Sequence, residues 1–452
     1  AAAGVQQATL AWTPAAGAES YTLRWGTTAG GPYTESMTGL TQASANVTAL
    51  SGGVPYYFVV EALNGLGASV ASAEASATPA TSPLVIGTQP AALTVTAGET
   101  ATFTVAASGS GPLSYRWQRS TDGGNTWGDV AAGGAYAGVA TDTLTISPTT
   151  GAMRGDLFRC VLTDGFNPAG YTVAVALTVR WSQFAALSAR APVGSGAQTL
   201  ILGYVFAGGA KPALVRGVGP GIGDSVPGYL RDPALQLYRL EDGAWTDAGS
   251  NNDWGGTPAL SAAFAKTGAG PLAGSSLDAA LLSPASGLVY TAHVVAPASA
   301  NGVVLAEAYD ADFADKSRRL TALSVRNTVG TDDSILIAGF VIAGDAPKRV
   351  IVRGVGPAMA ADLPGRYLAD PQLQIWRYDS ESKTWALVAE NDNWGGGAAL
   401  ASAMAAAGMG TLASGSADAA VLVELEPGIY TAQVRGAGGT TGIGLAEIYE
   451  AP

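Results

Sequence analysis

Arg216-Gly217-Val218-Gly219-Pro220 returns later in the chain as Arg353-Gly354-Val355-Gly356-Pro357. The echo extends outward from this stretch in both directions. Leu187-Ser188-Ala189-Arg190 returns as Leu323-Ser324-Val325-Arg326, and Asp232-Pro233-Ala234-Leu235-Gln236 as Asp370-Pro371-Gln372-Leu373-Gln374. Asn251-Asn252-Asp253-Trp254-Gly255-Gly256 returns as Asn391-Asp392-Asn393-Trp394-Gly395-Gly396, and Leu305-Ala306-Glu307 as Leu445-Ala446-Glu447. The offset grows only from 136 to 140 residues, so the last part of the chain is one unit written twice. Copy one spans 181–320 and copy two 321–452. Inside the copies, 334–342, 349–353, 373–378 and 429–434 read as strands, rich in β-branched residues and bounded by turn residues. One Ala-rich stretch per copy, 259–266 and 398–407, has helical composition. Each copy is therefore expected to be a β-sandwich of about eight strands with one short surface helix.

Upstream, short apolar strands alternate with turns from Leu10 to Thr78. Leu10-Ala11-Trp12, Tyr21-Thr22-Leu23-Arg24-Trp25, then Leu50 six residues before Tyr56-Tyr57-Phe58-Val59-Val60, together resemble a fibronectin type III domain over residues 1–80. The resemblance puts Trp12 on the second strand, which leaves the first strand missing and an edge to be filled from outside the residues present. After the linker Thr78-Pro79-Ala80-Thr81-Ser82-Pro83, residues 83–180 carry Gly98-Glu99-Thr100, Tyr115-Arg116-Trp117-Gln118 and Asp156-Leu157-Phe158-Arg159-Cys160. This order resembles a bacterial immunoglobulin-like domain. Val105 stands where the partner cysteine would be, so Cys160 is expected to be a buried, reduced packing residue facing Val105 and Trp117. The two copies resemble C-terminal repeats of large secreted bacterial proteins. Their Asp-Pro-x-Leu-x-Leu and Asn-Asp-x-Trp-Gly-Gly order is similar to bacterial pre-peptidase C-terminal domains. The fold class is all-β: serial β-sandwiches, fibronectin III-like, Ig-like, then the duplicated pair.

Bulk properties exclude some classes of function. The net charge is 23 − 35 = −12 without a basic cluster, so a phosphate backbone is repelled and nucleic acid is not a partner. No run of 18 apolar residues occurs, so membrane insertion by a helix is not expected. A single cysteine leaves the domains to be held by packing without an internal disulfide. The chain opens Ala1-Ala2-Ala3-Gly4 without Met, which points to processing from a longer precursor. With the bacterial resemblances, an extracellular or cell-surface location is the expectation.

Candidate chemistry is sparse. His293 and Cys160 are the only residues of their kinds and have no partners near in sequence, and no phosphate loop or zinc-spaced ligand set occurs; an enzyme is not expected. The charges repeated in apolar stretches are Arg190, Arg216, Asp278 and Glu307, with Arg326, Arg353, Asp418 and Glu447. Buried, they require partners, and an Arg–carboxylate network pinning the two sheets is the expectation. Asp232, Asn252 and Asp253, with Asp370, Asn391 and Asp392, form oxygen-rich turns that could hold calcium, although Asn and Asp also fill ordinary turns. Trp254 and Trp394 either stack on a sugar or cap the sandwich. Arg154-Gly155-Asp156 spells an adhesive tripeptide, but its Asp sits at a corner where the resembling fold uses it structurally.

Two functions remain open. One is a structural or assembly protein, a filament or surface-layer subunit that pairs by strand edges with copies of itself or with another surface protein. The other is an adhesin-like module that binds glycans or a protein.

Overall fold

A computed structural model describes residues 1–194, 198–284, 288–315 and 317–451. The chain divides into two units, 1–180 and 181–452. It is all-β, with strands in serial sandwiches. None of the described helices is long and apolar enough to cross a membrane.

The first unit holds two sandwiches with separate cores. In the first, Ala2–Gly4, Gln7–Ala11 and Ser44–Val47 form one sheet, and Glu35–Leu40, Ser20–Gly26 and Tyr56–Asn64 lead the other. Leu10, Leu23, Leu50 and Phe58 fill the space between them. Between Leu50 and Tyr56 the Ser51 N–H donates to Tyr56 Oη at 3.1 Å. The missing first strand is a correction. Ala2–Gly4 folds back on Gln7–Ala11, pairing Ala2 with Thr9 and Ala3 with Ala8, so the chain covers that edge itself. The turn depends on Gln6, whose φ of 51° is a conformation that sequence patterning rarely assigns to glutamine.

In the second sandwich, Leu93–Thr96 runs parallel to Val175–Arg180, followed by Leu157–Thr163 and Ser114–Ser120. Ala101–Thr104 and Thr143–Ile146 form the facing sheet. Cys160 lies directly across from Trp117 and is fully buried in a core with Val105, Phe103 and Phe158. Burial pushes its thiol up to about 11. The linker between the sandwiches is fastened: Ser82 O accepts from Ser110 Oγ at 3.1 Å and from Asn167 Nδ2 at 2.7 Å.

Sixteen strands of the second unit join in one hydrogen-bonded array. Copy one makes a layer from Ser182–Val193, Gly302–Asp310, Ala213–Val218 and Ala279–Leu282, and a second from Leu200–Ala207, Val289–Val295, Ala234–Glu241 and Ala244–Asn251. Copy two repeats the arrangement. Its layers are Arg319–Val329, Gly442–Glu450, Lys348–Val355 and Ala419–Leu425, then Leu336–Gly344, Gly428–Gly436, Pro371–Asp379 and Thr384–Asn391. The eight strands and one helix per copy match the expectation. The relation between copies does not. The first two strands of a copy do not pair with each other; Ser182–Val193 pairs with Leu336–Gly344, and Leu200–Ala207 with Arg319–Val329. Each sheet therefore runs from one copy into the other, and one apolar core spans both. The border drawn at 320/321 falls inside the strand Arg319–Val329. An open sheet edge leaves unpaired N–H and C=O groups, and each copy closes two edges of its twin.

The helices Pro258–Thr267 and Ala398–Ala406 cover one outer face of each copy. The first begins at Thr257, whose side chain accepts from Leu260 N, with Pro258 in its first turn, and it stops at Gly268 in the left-handed conformation.

Candidate functional site

The repeated charges sort into three groups. Arg216 and Glu307 face each other on adjacent strands and are ion-paired, Nη2 to Oε2 at 2.5 Å, with Nε to the same oxygen at 2.7 Å. Arg353 and Glu447 repeat the pair. The free arm of each guanidinium donates to a carbonyl in the loop that follows the helix, Gly270 at 2.5 Å and Gly410 at 2.6 Å. The pair thus ties two strands of one layer to the helix cover. This differs from the expected bridge between the two sheets, because both partners point outward from the sandwich. Asp278 and Asp418, fully buried, accept from the amides of Gly219 at 2.8 Å and Gly356 at 2.7 Å, fastening the turns after Val218 and Val355. Arg190 and Arg326 are exposed. They follow buried Ala189 and Val325, and strand alternation turns them to solvent.

A further buried pair was not foreseen. Lys211, wholly buried, donates to Asp310 Oδ2 at 2.6 Å and to the carbonyls of Asp315 and Arg318 at 2.8 Å each. Burial raises the Asp310 carboxyl although Lys211 opposes the shift. Its counterpart is Lys348 with Glu450 at 3.0 Å, and Glu450 is also held by Arg319. The signal was present in the recurrence of a lysine at the head of the third strand of each copy.

The calcium candidates are distributed as follows. Asn391 and its twin Asn251 spend both ends of their amides on the turn: Oδ1 accepts from Ala420 and Ala280 at 2.9 Å, while Nδ2 donates to the carbonyls of Asn393 at 3.0 Å and Asp253 at 2.9 Å. Asn252, Asp253 and Asp392 are exposed; Asp232 and Asp370 are half-buried, each with Oδ1 buried and unbonded. Among the described residues, no three His, Cys, Asp or Glu side chains gather as a metal-holding group.

Trp254 and Trp394 are only 4% and 8% exposed, and their Nε1 atoms donate to Ala273 O at 2.8 Å and Ala413 O at 2.9 Å. Packed under the helices, the rings cannot meet a sugar and instead cap the sandwich. The exposed tryptophans are others. Trp245 and Trp385, 50% and 45% exposed, lie at equivalent places on the second layer of each copy, whose outer face has no helix over it. In copy two, directly opposed residues share this face and form an apolar row, Trp385, Tyr378, Ile429, Val341 and Ala186, that crosses from one copy into the other. Leu387 and Val388 extend it, both more than 40% exposed. In copy one, Asp247 occupies the place of Leu387. There the shelf contains a cavity of about 160 Å³, lined by Gly203, Val205, Trp245, Thr291, Ser324 and Tyr449 among others. His293 lies on the same face against Tyr238, ring centres 4.9 Å apart, and burial with the Arg326 charge lowers its pKa. A wider depression of about 460 Å³ in the second sandwich is lined by small residues with Arg119 and Asp129. Those two already pair with Asp156 and Arg116. The pairing of Asp156 to Arg119 at 2.7 Å also occupies the acid of Arg154-Gly155-Asp156.

No family model matches the chain, and no curated protein does. Solved structures similar to parts of it include tandem Ig repeats of Dlar, 18% identical over 40% of this chain and 93% of that one, with a TM-score of 0.19. Extracellular domains 3–5 of Drosophila OTK are 14% identical over 49% of this chain and 75% of that one, with a TM-score of 0.24. The titin M10–obscurin-like 1 Ig complex is 20% identical over 22% of this chain and 96% of that one, with a TM-score of 0.19.

Proposed function

We propose that the chain is a non-enzymatic, extracellular bacterial surface protein of the assembly kind, whose first two sandwiches, fibronectin III-like and Ig-like, carry a double-repeat unit that associates with a second copy of itself. The observation that carries this is the uncovered apolar shelf of copy two. Trp385, Leu387, Val388 and Ile429 are each more than 40% exposed at one place, and such patches on soluble proteins mark association surfaces. A second copy is the occupant that the charges favour. At a net charge of −12 two chains repel each other, so contact belongs where acids are absent, and this row carries none. Beyond the row, Lys383 in the turn before the strand Thr384–Asn391 and Glu390 near that strand's far end flank the apolar residues, so in an antiparallel pair of copies each lysine can face the other's glutamate at the rim. The twin edge in copy one, with Asp247, lacks this character. Sedimentation velocity of the full chain is expected to show concentration-dependent association that Leu387→Asp abolishes and Asp247→Asn does not. A wild-type chain that stays monomeric throughout the micromolar range overturns the reading.

A further inference from the structure

The shelf of copy one has a cavity in it. Its floor lies at Gly203, where any Cβ would collide with Ser324 Oγ, a contact that copy two repeats between Gly339 and Ser188 Oγ. The walls come from both copies: Gly203, Val205, Trp245 and Thr291 from the first, Ala322, Ser324 and Tyr449 from the second. The cavity therefore exists only because Leu200–Ala207 pairs with Arg319–Val329. Its lining contains no charged residue, which disfavours ions, and it combines aromatic rings with two aliphatic hydroxyls, Thr291 and Ser324. At about 160 Å³ it is smaller than the ~300–1,000 Å³ pockets that enclose a drug-sized molecule, so it takes one ring and leaves the rest of a ligand outside. Trp245 lines it and is half exposed, so its indole is accessible from solvent.

From these features we infer that this cavity binds one neutral hexopyranose unit of a glycan. A pyranose presents an apolar C–H face and a rim of hydroxyls. The first matches the rings of Trp245 and Tyr449, the second the hydroxyls of Thr291 and Ser324, each able to donate and accept. No charge on the sugar is needed or favoured. The site is separate from the self-association surface on copy two, so failure of either leaves the other standing.

The test is saturation-transfer NMR and tryptophan fluorescence titration of the full chain with a panel of neutral methyl hexopyranosides. At least one is expected to bind with millimolar affinity. Trp245→Ala and the isosteric Thr291→Val are each expected to weaken binding at least tenfold, and Trp385→Ala to leave it unchanged. Absence of transfer to every hexopyranoside overturns the inference. So does binding that survives both Trp245→Ala and Thr291→Val, or that is lost in Trp385→Ala.

Discussion

Replacing Lys211 with methionine removes the ammonium from a site where nothing else can take its place. Its side chain and that of Asp310 are both inaccessible to solvent, and Nζ serves three acceptors, Asp310 Oδ2 at 2.6 Å and the carbonyls of Asp315 and Arg318 at 2.8 Å. Breaking a buried pair by removing one partner costs about 3–5 kcal/mol, because the remaining charge stays desolvated. For a unit of this size that lowers the melting transition by on the order of 10 °C. Lys211→Met/Asp310→Leu removes both charges and leaves two carbonyls without their donor and the Asp312 N–H without its acceptor, at about 1 kcal/mol each, so it is expected to recover part of the loss. Lys348→Met provides the internal comparison. Glu450 keeps Arg319 at 3.0 Å and is partly solvated, so this loss is expected to be the smaller. Differential scanning calorimetry of the full chain measures all three. A Lys211→Met shift no larger than that of Lys348→Met, or a double variant no better than the single, would refute the reasoning.

Two other expectations follow from the same bookkeeping of buried groups. Asp164 accepts from the backbone of Asn167 at 2.9 Å, Ser110 at 2.8 Å and Phe166 at 3.1 Å, and from the Asn167 side chain at 2.7 Å, and these bonds hold its carboxyl well below the usual range. A carboxylate with a depressed folded pKa contributes stability that is present above its unfolded value near 4 and is lost as pH falls through the folded one. Asp164→Asn should therefore destabilise the first unit at neutral pH and flatten its acid-unfolding limb; an unchanged pH profile would count against this role. Trp254→Ala or Trp394→Ala, which removes a buried ring and its hydrogen bond, should cost about 3–5 kcal/mol and expose the amides of the overlying helix to hydrogen exchange. Helix amides as protected as those of the wild type would show that the rings do not hold the cover.

The residues that could be read from sequence are those whose environment follows from local periodicity. Strand alternation placed Cys160 and Phe158 on one face, and both are in the core. Repetition of a charge inside an apolar strand singled out Arg216 and Glu307, and burial without a partner is too costly for the pair to have formed otherwise. The same argument failed for Arg190, since an apolar neighbourhood in sequence is shared by both faces of a strand and only one face is buried. Trp254 and Trp245 illustrate the limit most sharply. Trp254 follows a polar turn, and sequence left a sugar platform and a cap of the sandwich both open for it until the helix after it is seen to fold over the ring; Trp245 drew no reading from sequence, and its strand's outer face has no cover. Helix placement over one face is a tertiary fact with no local signature.

The partner choice of the strand edges is a different case. Within one copy, the first and second strands have compatible patterns and a short connection, so a hairpin between them is the simplest local solution. Such a hairpin would join the two layers of the sandwich into a single sheet and expose the face that Leu187, Leu202, Leu323 and Leu336 now bury. Keeping the layers apart leaves the first strand of each layer as an open edge, and a lone copy would present both of these edges to solvent. Duplication resolves this: the second copy supplies edges of the same shape, each layer continues into its twin, and the four edges disappear together. On this argument neither copy is a complete domain, although each contains a full set of strands. It also explains why the cavity beneath Trp245 draws its walls from both copies, since the seam where Gly203 meets Ser324 is a place that only the doubled unit contains.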